Sequence, residues 1–140
     1  MQVETNTTVA SRWYEEVFNA GKIELIDELF APNFVDHDPS NPLPGLDGVR
    51  QLVSMYRGAF PDLRLTIEDE ITEGDKVVTR FTGRGTHKGP LMGIPPTGKR
   101  VTITAIDILR FENGRIMEHW GNQDLLGMMQ QLGVIPAPGQ

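Results

Sequence analysis

Asn113-Gly114 constrains this chain more than any other pair of residues. Between two alternating apolar runs, Asn-Gly marks a two-residue β-hairpin, because both turn positions need positive φ. With that turn, Phe111 pairs with Ile116, Leu109 with Glu118 and Asp107 with Trp120. Alternation along both strands then collects Val101, Ile103, Ala105, Asp107, Leu109 and Phe111 on one face, continued by Ile116, Glu118, Trp120, Asn122 and Asp124. This face is mostly apolar yet holds three carboxylates, and carboxylates turned toward a core are either ion-paired or part of a site. The other face receives Ile106, Ile108, Met117 and His119, a second apolar stripe that reads as a homodimer interface.

Upstream, the period changes. Thr7 or Thr8 is positioned to cap a first helix carrying Val9, Trp13, Val17 and Ala20, ended by Gly21. A short second helix with Ile23, Ile26, Leu29 and Phe30 stops before Pro32, and residues 34–38 read as a short strand entering a Pro-rich loop, 39–45. A third helix from Asp47 ends before Pro61. From Leu63 the spacing is two: Leu63 to Ile71 forms an amphipathic strand that turns at Gly74-Asp75, placing Ile71 opposite Val78, Asp69 opposite Arg80 and Ile67 opposite Thr82. That strand's partner runs to about His87, a Gly/Pro-rich connection spans 88–99, and the Asn-Gly hairpin follows. Leu125 to Leu132 forms a last helix, closed by Gly133 and followed by a frayed tail. Helices first and antiparallel strands second is the α+β order. The chain reads as one domain, 1–140, with helices packed on a strongly curved antiparallel sheet that encloses a cavity.

Composition narrows the function. A formal net charge of -6 disfavours nucleic acid as a partner. The absence of Cys removes thiolate catalysis and Cys-based metal sites. Residues 1–8 lack a basic end followed by an apolar run, and no apolar run approaches the ~20 residues of a membrane span. The expectation is a cytoplasmic domain. Asp36-His37-Asp38 invites a metal reading, but alternation sends the middle side chain to the opposite face, so no metal is expected there.

Several stretches carry a resemblance: Ala59-Phe60-Pro61-Asp62-Leu63, Gly85-Thr86-His87-Lys88-Gly89, Gly93-Ile94-Pro95-Pro96-Thr97-Gly98-Lys99, Glu118-His119-Trp120, and Asp124 through Gly133. Together they resemble the SnoaL-like polyketide cyclases, members of the nuclear-transport-factor-2-like group with a cone-shaped fold, over about Trp13 to Gly133. The resemblance implies a cavity inside the cone and cofactor-free acid–base chemistry, an intramolecular aldol ring closure on a small hydrophobic or aromatic carbonyl substrate. It places the family's catalytic Asp on Asp124. The accompanying His would fall on the preceding strand, where Asp107 to Arg110 contains none.

Asp124 has two readings: a desolvated general base, or the N-cap of the helix that begins at Leu125. Asp107 and Asp38 are the other candidate catalytic acids. Tyr14, His37, Tyr56, Arg80, His87, Met92 and Trp120 are candidate substrate contacts, with Asp69 the structural alternative for Arg80. A ketosteroid-isomerase-like reaction using Tyr14 with Asp36 or Asp38 is a second enzymatic reading. A non-catalytic ligand-binding or assembly domain is the third.

Overall fold

The computed structural model describes residues 5–39, 41 and 43–139. Residues 1–4 of the N-terminal reading, and Ser40 and Pro42 of the Pro-rich loop, lie outside them. Thr5, rather than Thr7 or Thr8, caps α1 (Asn6–Arg12), its hydroxyl accepting from the Thr8 amide at 3.1 Å. The helix widens into a π-helical stretch, Trp13–Asn19, where the Ala20 amide reaches back five residues to Glu15. That stretch buries Trp13, Tyr14, Val17 and Phe18 against the sheet. A 3₁₀ turn, Ile23–Leu25, leads into α2 (Ile26–Leu29). Next comes β1 (Phe30–Asp36), longer than expected and containing Pro32, which is tolerated because β1 is an edge strand.

The long helix α3 (Gly45–Ala59) stops before Pro61 and buries Val49 and Val53 on one side. Four strands follow: β2 (Arg64–Glu73), β3 (Lys76–Thr86), β4 (Arg100–Glu112) and β5 (Arg115–Gln123). Helix α4 (Leu125–Leu132) closes at Gly133, whose φ of 81° belongs to the left-handed region glycine tolerates. The sheet order is β1-β5-β4-β3-β2, and the expected hairpins at 74–75 and 113–114 both form. The sheet is not wholly antiparallel: β1 runs parallel to β5. No hairpin ties these two, since α3 and three strands separate them in sequence, so no turn fixes their relative direction.

Two bulges decide which side chains enter the core. In β5, Phe111 pairs with Ile116 as the turn requires, but Arg110 pairs with Glu118, leaving Met117 as an extra residue. From there the register moves by one: Leu109 faces His119, Asp107 faces Gly121 and Ala105 faces Gln123. A one-residue slip exchanges the faces of everything downstream. Glu118 and Trp120 therefore lie on the outer face, correcting the inward placement read from the turn, and His119 turns inward rather than joining an outer interface. A bulge at Glu68 acts likewise in β2: Asp69 faces Arg80 as expected, while Ile67 faces Phe81 instead of Thr82.

Candidate active site

The inner face of β3, β4 and β5, roofed by the π-helical stretch and α3, forms a cavity with about 1020 Å³ of atom-free space, mouth included. Its walls are aromatic and aliphatic, with Trp13, Phe18, Phe30, Phe34, Phe60 and Phe81 among them. A chain of ionisable groups is set into this apolar wall. His119 donates from one ring nitrogen to each of two carboxylates: Nδ1 lies 2.8 Å from Asp36 Oδ1, and Nε2 lies 2.9 Å from Asp107 Oδ1. The Tyr14 hydroxyl donates to the other Asp107 oxygen at 2.9 Å. The three charged side chains are only 13% (His119), 6% (Asp36) and 13% (Asp107) exposed.

Each contact follows from the fold. The parallel pairing puts Asp36 of β1 beside His119 of β5, and the Met117 bulge turns the imidazole toward Asp107 of β4. Gly121, opposite Asp107, leaves the space the pair occupies: a Cβ there would stand 2.3 Å from Asp107 Oδ1 and 2.7 Å from His119 Nε2. Burial alone would lower the imidazole's pKa, but the hydrogen bonds and charges of Asp107 and Asp36 override it and push it up to about 10. His119 is thus an imidazolium at neutral pH. Burial also opposes ionisation of Asp36, yet the bonds from His119, the Asp38 amide and Asn41 outweigh it and hold its pKa below the usual carboxylate value. Burial, reinforced by the Asp107 charge, raises Tyr14 well above the ordinary phenol range, so it stays protonated.

Of the residues singled out in the sequence, Asp107, Asp38, Tyr14 and Tyr56 line this cavity. Asp124 does not. It is exposed, and Oδ1 accepts the Gly127 amide at 2.8 Å as the N-cap of α4, so the geometry favours the capping reading. Arg80 pairs with Asp69 on the outer face. Trp120, also outside, stacks on His37 with ring centroids 4.7 Å apart, and His37 meets Glu118 at 3.1 Å. His87 is fully buried away from the cavity, holding the base of the 88–99 connection through Thr97. Met92 is 47% exposed on that connection. The imidazole missing from β4 is supplied by His119 on β5. The turn-based register hides it, although Gly121 inside a strand signals a bulge or close approach.

Sequence and structure comparisons agree with this architecture. Residues 8–132 match the SnoaL-like polyketide cyclase family. The chain belongs to that family. It is 30% identical over 124 residues to nogalonic acid methyl ester cyclase of Streptomyces nogalater, covering 83% of this chain and 89% of that one. TsrD from Streptomyces laurentii superposes with a TM-score of 0.85 at 32% identity, covering 92% of this chain and 95% of TsrD. AclR from Streptomyces galilaeus, put forward as a hydroxylase, gives the same TM-score at 29% identity over 96% of this chain and 85% of its own. Since one cone carries names from two reaction classes, the chemistry has to be argued from the site.

Proposed function

We propose that this family member is a ring-closing enzyme of the SnoaL-like cyclase type, catalysing an intramolecular aldol reaction on an aromatic polyketide-type carbonyl compound. The observation that carries the reading is His119 clamped between Asp36 and Asp107 in the wall of an apolar cavity. Asp107 acts as the base. It takes a proton from carbon next to one carbonyl, and the resulting enolate carbon attacks a second carbonyl of the same molecule. One carbon–carbon bond forms, one C=O π bond is lost, and the alkoxide regains a proton. His119 pairs with the Asp107 carboxylate before reaction and stabilises the negative charge that passes to substrate. Asp38, also on the wall, supports binding at the mouth. Only proton transfer is required, so the reaction needs no cofactor.

The isomerase alternative asks Tyr14 to donate to a substrate oxygen, but its proton is already given to Asp107. For assembly we propose a homodimer through the outer face, where Ile106 is 50% exposed beside Ile108 and Trp120. Ile106→Glu should then give a folded monomer by light scattering.

The test of the chemistry uses an anthraquinone bearing a tethered 1,3-diketone, followed by chromatography for ring closure and by NMR for exchange of the acidic C–H with deuterium. Asp107→Asn should lower both rates by roughly 10²-fold or more. Ring closure at an unchanged rate would remove Asp107 from the mechanism.

A further inference from the structure

The cavity has a second polar pole. On the inward side of the sheet, Asp107 of β4 stands opposite Gly121 of β5, and Gln123 follows two residues on, so the base and Gln123 stand roughly 7 Å apart along the strands. At the Gln123 end, Nε2 donates to the Tyr56 hydroxyl at 2.8 Å. A phenol that accepts from an amide still has its own proton to give, and among the described residues no group accepts that proton from Tyr56. Both side chains line the cavity, with Asp38 close enough for its charge to act on Tyr56. Burial, helped by the Asp38 charge, raises the Tyr56 pKa against the opposing pull of the Gln123 bond, so the hydroxyl keeps its proton through neutral pH.

The floor here includes small residues. Gly121 of β5 lies beside Asp107, Ala105 of β4 beside Gln123 and Gly83 of β3 one step beyond, and all three line the cavity. Aromatic side chains form the walls, so the space suits a flat fused-ring molecule with polar groups at opposite ends. We propose that Tyr56 donates the hydrogen bond to the carbonyl oxygen that becomes the alkoxide, with Gln123 as its positioning residue. This rests on the ring-closure reading above. It divides the labour: Asp107 receives the proton from carbon at one pole, and Tyr56 meets the developing oxyanion at the other. The planar diketone spans them.

The test uses 9-fluorenone and fluorene, flat tricyclic molecules that differ in one carbonyl. Wild-type protein should bind 9-fluorenone about tenfold more tightly than fluorene, and the carbonyl stretch of the bound ketone should fall in frequency. Tyr56→Phe should remove the preference and return the stretch to its apolar-solvent value, while fluorene affinity is retained. Gln123→Leu should weaken both effects in part. If Tyr56→Phe keeps the preference and the frequency, Tyr56 is not the donor, and the Asp107 mechanism stands untouched. If wild type binds both compounds equally, the second pole is refuted. If it binds neither, the aromatic-carbonyl reading of the cavity fails together with this one.

Discussion

On the outer face of the sheet, Arg80 Nη2 lies 2.6 Å from Asp69 Oδ2, with the side chains 50% and 60% exposed. On the inner face, His119 lies 2.8 and 2.9 Å from Asp36 and Asp107, with 13% exposure at most. The distances are similar and the surroundings are not. Two unit charges 4 Å apart attract by about 1 kcal/mol in water and by several times that beneath a protein surface. Outside, hydration competes with the pair and either partner can be lost cheaply. Inside, each ion depends on the others, because none can return to water without opening the fold. This dependence keeps carboxylates set against an apolar wall, an arrangement suited to taking protons from carbon.

The largest expected effect comes from removing the interior cation. His119→Leu leaves Asp36 and Asp107 facing each other with no compensating charge, and should destabilise by about 3–5 kcal/mol in chemical denaturation at pH 7. The deficit should shrink in acid, where Asp36, no longer held ionised by His119, loses its charge. A variant as stable as wild type at pH 7 would show that the interior cluster is energetically no different from the exterior pair.

Proton linkage gives the next test. His119 titrates near 10 when folded against 6.5 unperturbed, so its contribution is fully present below about pH 6.5 and is lost as pH rises toward 10. The loss should amount to a few kcal/mol, on the order of 1.4 kcal/mol for each pH unit between those two values. Unfolding free energies at pH 6.5 and 10, each compared with His119→Leu to subtract other titrating groups, measure it. On the acid side the sign reverses. Asp36 is lowered from 3.8, so its contribution is present above that value and lost as pH falls through the folded pKa.

Much of this fold is legible in the sequence, and the limits are physical. The Asn113-Gly114 turn, the Gly74-Asp75 turn and the bounds of α4 follow from local rules, because two or three residues determine each. The curved sheet and cavity follow from period and order. The site does not, because Met117 adds a residue to one strand and nothing local distinguishes it from its neighbours. That single insertion turns Glu118 and Trp120 outward and brings in His119. Asp107 is legible because it lies on β4, whose alternation the bulge leaves intact, whereas Asp36 requires the parallel β1–β5 pairing that no turn specifies. Asp124 shows the reverse: its capping geometry is local, while the family resemblance weights it toward catalysis.

Gly121 shows how little room the interior cluster has. Gly121→Ala drives a methyl into the His119–Asp107 contact and should cost about 1–3 kcal/mol. Ring closure should also be lost, because one of the two groups must give way. Gly58, in α3 with open space where an alanine methyl would stand, serves as control: Gly58→Ala should be neutral or stabilising by up to about 1 kcal/mol, the helix-propensity difference. If both changes cost the same, the tight fit at Gly121 is not what holds the imidazole in place.

The smallest effect belongs to the outer pair, and it tests whether exposure really separates the two faces. Asp69 and Arg80 sit directly across β2 and β3 in the register, with Arg80 Nε also donating to Asp69 Oδ2 at 2.8 Å. By distance alone this pair should rank with the interior contacts. Exposure argues otherwise, since water and salt screen both charges and two long side chains lose freedom in meeting. A double-mutant cycle with Asp69→Ala and Arg80→Ala should therefore return a coupling of about 0.2–1 kcal/mol, falling further in 1 M salt. The face of the sheet is the cause: Arg80 stands opposite the exposed Ile106 of β4, so the pair points outward, whereas on the inner face breaking such a pair would cost several times more. A coupling above about 3 kcal/mol, insensitive to salt, would mean that the dimer contact at Ile106 extends over this pair and shields it, and the same cycle in Ile106→Glu would then drop to the exposed value.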